Sequence, residues 1–117
     1  MPSHPLPPAR RIRRRGEFQH VFDVGRRAHG RYLTIVAAPA SGGDASRLGI
    51  VASRKVGGAV VRNRAKRLIR EAFRTDPGPS VPSALVVIAK AAAATAKADG
   101  LASDYQMTLK RLGLSIR

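Results

Sequence analysis

The chain has no cysteine and no tryptophan, only two tyrosines and three phenylalanines, and just seven acidic residues in 117. Without cysteine there can be no disulfides and no thiolate metal sites, and the redox compartment stays open. The acids, Glu17, Asp23, Asp44, Glu71, Asp76, Asp99 and Asp104, are scattered along the chain. They form no metal-ligand cluster and none is spaced from a histidine as a catalytic pair would be, so chemistry by this chain alone is not expected. His20 and His29 are read as surface or structural residues, and His4 lies in the basic N-terminal stretch. No apolar run approaches the roughly 18 residues of a membrane-spanning helix. The N-terminal "MPSHPLPPARRIRRRG" lacks the apolar stretch of a secretory signal, and a cytoplasmic location is expected.

Positive charge is what the sequence has in excess. Lys and Arg number 22, giving a net charge of +15 and an isoelectric point near 11.9. Such a balance points to a polyanionic partner, with nucleic acid first among candidates. A hydrophobic content of 44% in 117 residues is enough for one core and one domain.

Residues 1–15 combine four prolines with Arg10, Arg11, Arg13, Arg14 and Arg15, a composition that predicts a disordered basic arm; residues 16–117 form the single domain. In "GEFQHVFDVG" the residues Phe18, Val21 and Phe22 share one helical face, and Gly25 stands where a helix-ending glycine is expected. "RYLTIVAA" (31–38) and "RLGIVAS" (47–53) are strand-like runs on either side of a Gly-Gly-Asp loop, which predicts that they pair as a hairpin. A third strand, "ALVVIAK" (84–90), follows a loop with three prolines. "AAAATAKADG" (91–100) reads as a frayed helix or a flexible connection. From about Ser103 a helix is predicted, with Leu101, Tyr105, Leu109 and Leu112 in one stripe. The predicted order is α-β-β-α-β-α.

The most informative stretch is "VGGAVVRNRAKRLIREAFR", Val56 to Arg74. At roughly 100° per residue, Arg62, Asn63, Lys66, Arg67, Arg70 and Arg74 fall within about 140° of one another. Val61, Ala65, Leu68, Ile69 and Ala72 occupy a separate arc. One period therefore serves both a core-facing side and a cationic ridge. A charged helix face is ordinarily solvated surface, but solubility is normally met with mixed signs, and this ridge has no acid among its six members. Its arginines favour planar, bidentate contact with phosphate. Glu71, four residues after Arg67, is placed to pair with it.

"SRKVGGAVVRNRAKRLIREAF" (53–73) resembles the signature segment of the bacterial ribonuclease P protein family. The family's Arg-Asn-Arg motif is met by Arg62-Asn63-Arg64, its next basic pair by Lys66-Arg67, its next arginine by Arg70, and its Ser-basic-basic stretch by Ser53-Arg54-Lys55. "EFQHVFDVGRR" is similar to the family's first helix, and the resemblance covers about residues 13–90. It implies an α/β (α+β) sandwich with a central sheet packed against helices and a left-handed βαβ crossover, where Gly57-Gly58 suits the tight junction. It also implies an RNA-binding subunit that assists a catalytic RNA in the endonucleolytic removal of the 5′ leader from precursor tRNA, with no catalytic residue in this chain. On that footing Arg54, Lys55, Arg62, Asn63, Arg64, Lys66, Arg67 and Arg70 contact the catalytic RNA, and Phe18, Phe22, Tyr32 and Val36 contact the leader. Phe18 and Phe22 by pattern alone would be core residues. Val36 stands where the family often has an aromatic, so either leader stacking is poorer here or Tyr32 compensates. Mg²⁺ is expected as a cofactor bound mainly by the RNA, and the protein is expected to be monomeric within the ribonucleoprotein. The alternative reading from charge alone is a ribosomal protein or general RNA chaperone, which share the basic arm and the strong salt dependence.

Overall fold

The computed structural model describes residues 10–40, 46–75 and 82–113. In chain order its elements are α1 (Arg15–Val24), β1 (Arg26–His29), β2 (Leu33–Pro39), β3 (Arg47–Val51), α2 (Ala59–Thr75), β4 (Ser83–Ala89), a short 3₁₀ helix (Ala91–Thr95) and α3 (Ala98–Arg111). The strands form one sheet in the order β1-β2-β4-β3, giving an α+β sandwich with helices on both faces.

β4 belongs in the interior of this sheet because it is apolar on both faces: Leu85, Val86 and Val87 are all fully buried. β2 pairs with it antiparallel, Leu33 opposite Ala89, and β3 pairs with it parallel on the other side, Leu48 opposite Leu85. The hairpin expected between 31–38 and 47–53 is therefore not formed. Pairing those two strands directly would have left β4 at an edge with both apolar faces still to cover. The hairpin in the fold is β1–β2, with Ala28 opposite Ile35. β1 escapes a pattern search because only Ala28 of Arg26-Arg27-Ala28-His29 points inward. Charged side chains on such an edge strand also discourage pairing with other chains.

The face under α2 and α3 carries the larger core. Ala65, Leu68, Ile69 and Ala72 of α2 are buried as its periodicity predicts, Val61 is half-buried, and Phe73 joins them. Leu101, Tyr105, Leu109 and Leu112 form the stripe expected of α3, which begins at Ala98 rather than Ser103. The alanine-rich stretch before it is neither frayed nor loose. Ala93 and Ala96 are fully buried, and small side chains there let the 3₁₀ turn pack against α2.

α1 covers the other face, over Val36, Ala38 and Val86. Gly25 ends it in an extended conformation, so its role is space and not handedness: a Cβ would strike the Val21 carbonyl and come within 2.8 Å of Val36 Cγ1. Gly57, in contrast, has φ +149 at the junction leading into α2, a conformation that favours glycine.

The arm predicted over 1–15 needs correction at its inner end; residues 1–9 lie outside the described residues. Ile12 is buried, and its N–H donates to the Leu48 carbonyl at 2.9 Å, so the chain runs parallel to β3 and covers that edge. Arg10 donates to the Ser46 carbonyl and lies over the Phe73 ring, and Arg47 donates to the Arg11 carbonyl while pairing with Glu17. One isoleucine buried against the sheet, with its own amide bonded to Leu48 and the preceding carbonyl held by Arg47, outweighs the charge of its neighbours. At the other end of the molecule, the Asp104 carboxylate accepts from the Arg31 and Tyr32 amides at 2.8 Å and fixes the β1–β2 turn to α3.

Candidate nucleic-acid interface

α2 lies on its apolar arc, which leaves the opposite arc to solvent. Asn63 and Arg67 are exposed there, with Arg62, Lys66 and Arg70 half-buried beside them. The first turn of α2 has no acidic residue, so the partial positive charge of the helix N-terminus adds to the ridge. Arg54 and Lys55 extend the same charge, exposed on the turn between β3 and α2. That turn is shaped by Ser53, whose carbonyl accepts from Val56 N–H at 3.0 Å, and by Val56, which is buried as an anchor.

Three details of α2 go beyond what the sequence conveys. Arg64 points to the α3 side and donates to the Ala96 carbonyl at 2.8 Å, which ties α2 to the segment before α3. Arg67 and Glu71 form no ion pair among the described residues; Glu71 lines the groove between α2 and α3 instead. The Nε of Arg62 is buried without a hydrogen-bond partner. A buried donor left unpaired costs about 1–3 kcal/mol, so an arginine in that state favours a partner that accepts from it.

Next to the ridge is the half-open face of the sheet. Phe18 and Phe22, one turn apart on α1, are half-buried above it, with Val51 and Ile88 as partly buried neighbours. Arg27 from β1 lies over the Phe22 ring at 5.7 Å, and Phe18 sits against Gly49 of β3. Ring and guanidinium side by side suit a single-stranded nucleic acid, whose bases stack and whose phosphates need cations. Val36 is 0% exposed beneath α1, part of the floor and closed to solvent. Tyr32 is not brought to the phenylalanines. It packs on the other core beside Gly100 of α3, under Arg31 at 5.2 Å.

Sequence reasoning gave Arg27 no role, and it missed the placement of Arg11. Assigned to a disordered arm, it instead lies on β3 next to Lys66 and Arg70 of the ridge and Phe18 of α1. The available signal was Ile12, a single β-branched apolar residue in a run of arginines. Among the described residues no group of three or more His, Cys, Asp or Glu side chains could hold a metal ion, and no helix is long and apolar enough to cross a membrane.

Comparison with known proteins matches these features to one family. The sequence profile of the Ribonuclease P family matches residues 6–113. A ribonuclease P protein component from Beutenbergia cavernae is 41% identical over 110 residues, covering 93% of this chain and 92% of the relative. Another, from Desulfovibrio desulfuricans, is 43% identical over 111 residues, covering 92% and 85%. Among solved structures, the ribonuclease P protein of Staphylococcus aureus superposes with a TM-score of 0.83 at 28% identity, covering 91% of this chain and 97% of that one. The Thermotoga maritima protein gives 0.76 at 32% identity, covering 86% and 96%.

Proposed function

The chain belongs to the ribonuclease P protein family, and from that premise we propose that it is the RNA-binding subunit of a ribonuclease P ribonucleoprotein, assisting a catalytic RNA in removing the 5′ leader of precursor tRNA. The observation that carries this reading is the α2 ridge, where one helix turns Arg62, Asn63, Lys66, Arg67 and Arg70 away from a core formed by its own opposite face. Arg54 and Lys55 extend the ridge, and the catalytic RNA binds along it through its phosphates. Arg64 donates to the Ala96 carbonyl and so orients the helix that carries the ridge.

The leader lies over Phe18 and Phe22, with Arg27 beside them. Val36 supports that surface from below, and Tyr32, packed on the opposite core, takes no part in it. A precursor tRNA with a leader then gains contacts that a mature tRNA lacks, which separates substrate from product. Mg²⁺ held by the RNA supplies the hydrolytic chemistry. The contribution of this chain is to offset repulsion between two polyanions, which raises both substrate affinity and the occupancy of cation sites in the RNA. In this reading the protein works in the cytoplasm, as a monomer within the ribonucleoprotein.

The test is cleavage of precursor tRNA at low, near-physiological Mg²⁺, with bacterial ribonuclease P RNA and the protein assayed separately and together. Correct 5′ ends formed efficiently only by the mixture, and lost with Arg62→Ala plus Arg70→Ala, is the expected result. Binding to both RNAs with no change in cleavage would move the chain to the chaperone class.

A further inference from the structure

At the edge of the sheet away from α2, a second group of cations collects. β1 contributes Arg26 and Arg27, the turn after it Arg31, and the last turn of α3 Lys110 and Arg111, all of them exposed. Gly30 lets these elements meet, since a Cβ there would strike the Asp104 carboxylate and Thr108 Oγ1 at 2.5 Å. Several of the cations are held in place: Arg26 Nη2 donates to the Leu112 carbonyl at 2.6 Å, Arg111 Nη1 to the His29 carbonyl, and half-buried Lys90 to the Gly30 carbonyl. Arg27 lies over the Phe22 ring and Arg31 over Tyr32. None of them pairs with a carboxylate among the described residues. Asp23, three residues before Arg26, is engaged by Gln19 at 2.9 Å, and Asp104 by the Arg31 and Tyr32 amides.

Two structural duties account for part of this charge. Arg26, Lys110 and Arg111 suit the negative end of α3, and charge on β1 guards an open sheet edge. Neither duty requires Arg31, and an edge is guarded by either sign. A guanidinium carries five donors, so Arg26 and Arg111, each tied to one carbonyl, keep donors for an outside acceptor while their positions are already set. Such preorganisation lowers the cost of binding an anion.

The place of the patch identifies the strand it meets. α2 packs against β3, and β1 is the opposite edge of the order β1-β2-β4-β3. Three strand spacings of about 4.8 Å put about 14 Å between those edges, more than the roughly 8 Å over which exposed charges act at physiological salt. The patch is therefore not an extension of the ridge. It does continue the leader surface, because Arg27 beside Phe22 belongs to both. A stacked strand carries a phosphate about every 3.4 Å, so about four nucleotides cross the sheet and the next ones arrive at β1. We propose that this edge binds the phosphates of the 5′-distal leader, the nucleotides beyond those over Phe18 and Phe22. The proposal rests on the leader-binding role above and adds to it a second contact that responds to length and charge, not to base identity.

The complex of the full-length protein with bacterial ribonuclease P RNA is titrated with mature tRNA and with precursors whose leaders have about four nucleotides, ending on the sheet, or about twelve, passing β1. The longer leader should bind about tenfold tighter than the shorter, since exposed charge pairs are each worth a factor of about two to five. Arg31→Gln combined with Lys110→Gln should remove that advantage and leave the affinity for the shorter leader unchanged. Both side chains are exposed and neither donates a hydrogen bond to another part of the chain, so the fold should withstand the change. The advantage should also shrink as salt rises, by about 0.7 in log affinity per decade of salt for each phosphate neutralised. Equal affinity for the two precursors, or an advantage that survives in the double variant, would overturn the distal contact. A photo-crosslinker in place of Arg31 should mark the distal leader; a cross-link to the catalytic RNA, or none to the leader, would overturn the assignment. The leader-binding role itself fails by a different result, a short-leader precursor that binds no tighter than mature tRNA.

Discussion

On the face of the sheet under α2 and α3, Leu33, Ile35, Ile69, Leu85, Val87, Tyr105 and Leu109 are all closed to solvent, whereas on the α1 face the buried apolar side chains among the described residues are Ile12, Val21, Val36, Ala38 and Val86, and they give way to half-buried Phe18, Phe22, Val51 and Ile88. The same sheet serves both sides, and the covering helices make the difference. Two helices with large apolar side chains seal one face, while the single ten-residue helix α1 reaches only part of the other. A face sealed in this way can contribute stability but cannot contact a ligand. The other keeps aromatic rings within reach of a base, and a cationic helix borders it.

Exchanging the two roles is the strongest way to break that contrast. Phe73→Ala, on the sealed side, is expected to lower unfolding free energy by about 3–5 kcal/mol, as measured by urea denaturation. Phe22→Ala, on the open side, should lower it by only about 1–2 kcal/mol, while reducing the preference of the reconstituted complex for leader-bearing over mature tRNA. Equal stability losses, with leader preference intact, would erase the distinction between the faces.

A second comparison sits at the entrance to α2. Gly57→Ala forces an alanine to φ +149 with its Cβ 3.1 Å from the Val61 side chain, while a Cβ at Gly58 meets nothing within 4 Å. The first variant should cost about 1–3 kcal/mol, and the second should stay within about 1 kcal/mol of the wild type or gain stability. Thermal unfolding of the two side by side checks this. Because Gly57 sets how α2 leaves β3, the first variant should also weaken binding to the catalytic RNA.

The sealed side was largely legible in the sequence and the open side was not. The apolar arc of α2 and the stripe Leu101, Tyr105, Leu109 and Leu112 are periodic signals that burial reproduces. Strand pairing was misjudged because nearness in sequence and a loop with turn chemistry favour a hairpin, whereas the doubly apolar β4 requires a strand on each side. β1 was invisible because an edge strand with one inward residue has almost no alternation to detect. The outward arc of α2 over Arg62, Asn63, Lys66, Arg67 and Arg70 was readable from the helical period, whereas the Arg64 bond to Ala96 was not, because it depends on where the 3₁₀ turn packs. Arg11 was hidden by its composition, since a run of arginines carries no pattern and only the tertiary contact of Ile12 places it.

The smallest effect expected belongs to Glu17, whose pairing with Arg47 joins the start of α1 to β3 on the open side. Glu17→Gln should lower stability by about 0.2–1 kcal/mol, as partly exposed ion pairs do, and the loss should shrink in high salt. A loss of several kcal/mol in urea denaturation would mean that the open face depends on this one pair far more than the packing of Val21 and Val36 suggests.

The account depends above all on the α2 ridge meeting RNA phosphates, and the salt dependence of binding to the catalytic RNA measures that directly. If five ridge cations each neutralise a phosphate, log affinity should fall against log salt with a slope of roughly −3.5 to −4.5, and Arg62→Ala and Arg70→Ala should each flatten it by about one unit. The same slope for the wild type and both variants would contradict the account, because it would place the ridge outside the interface.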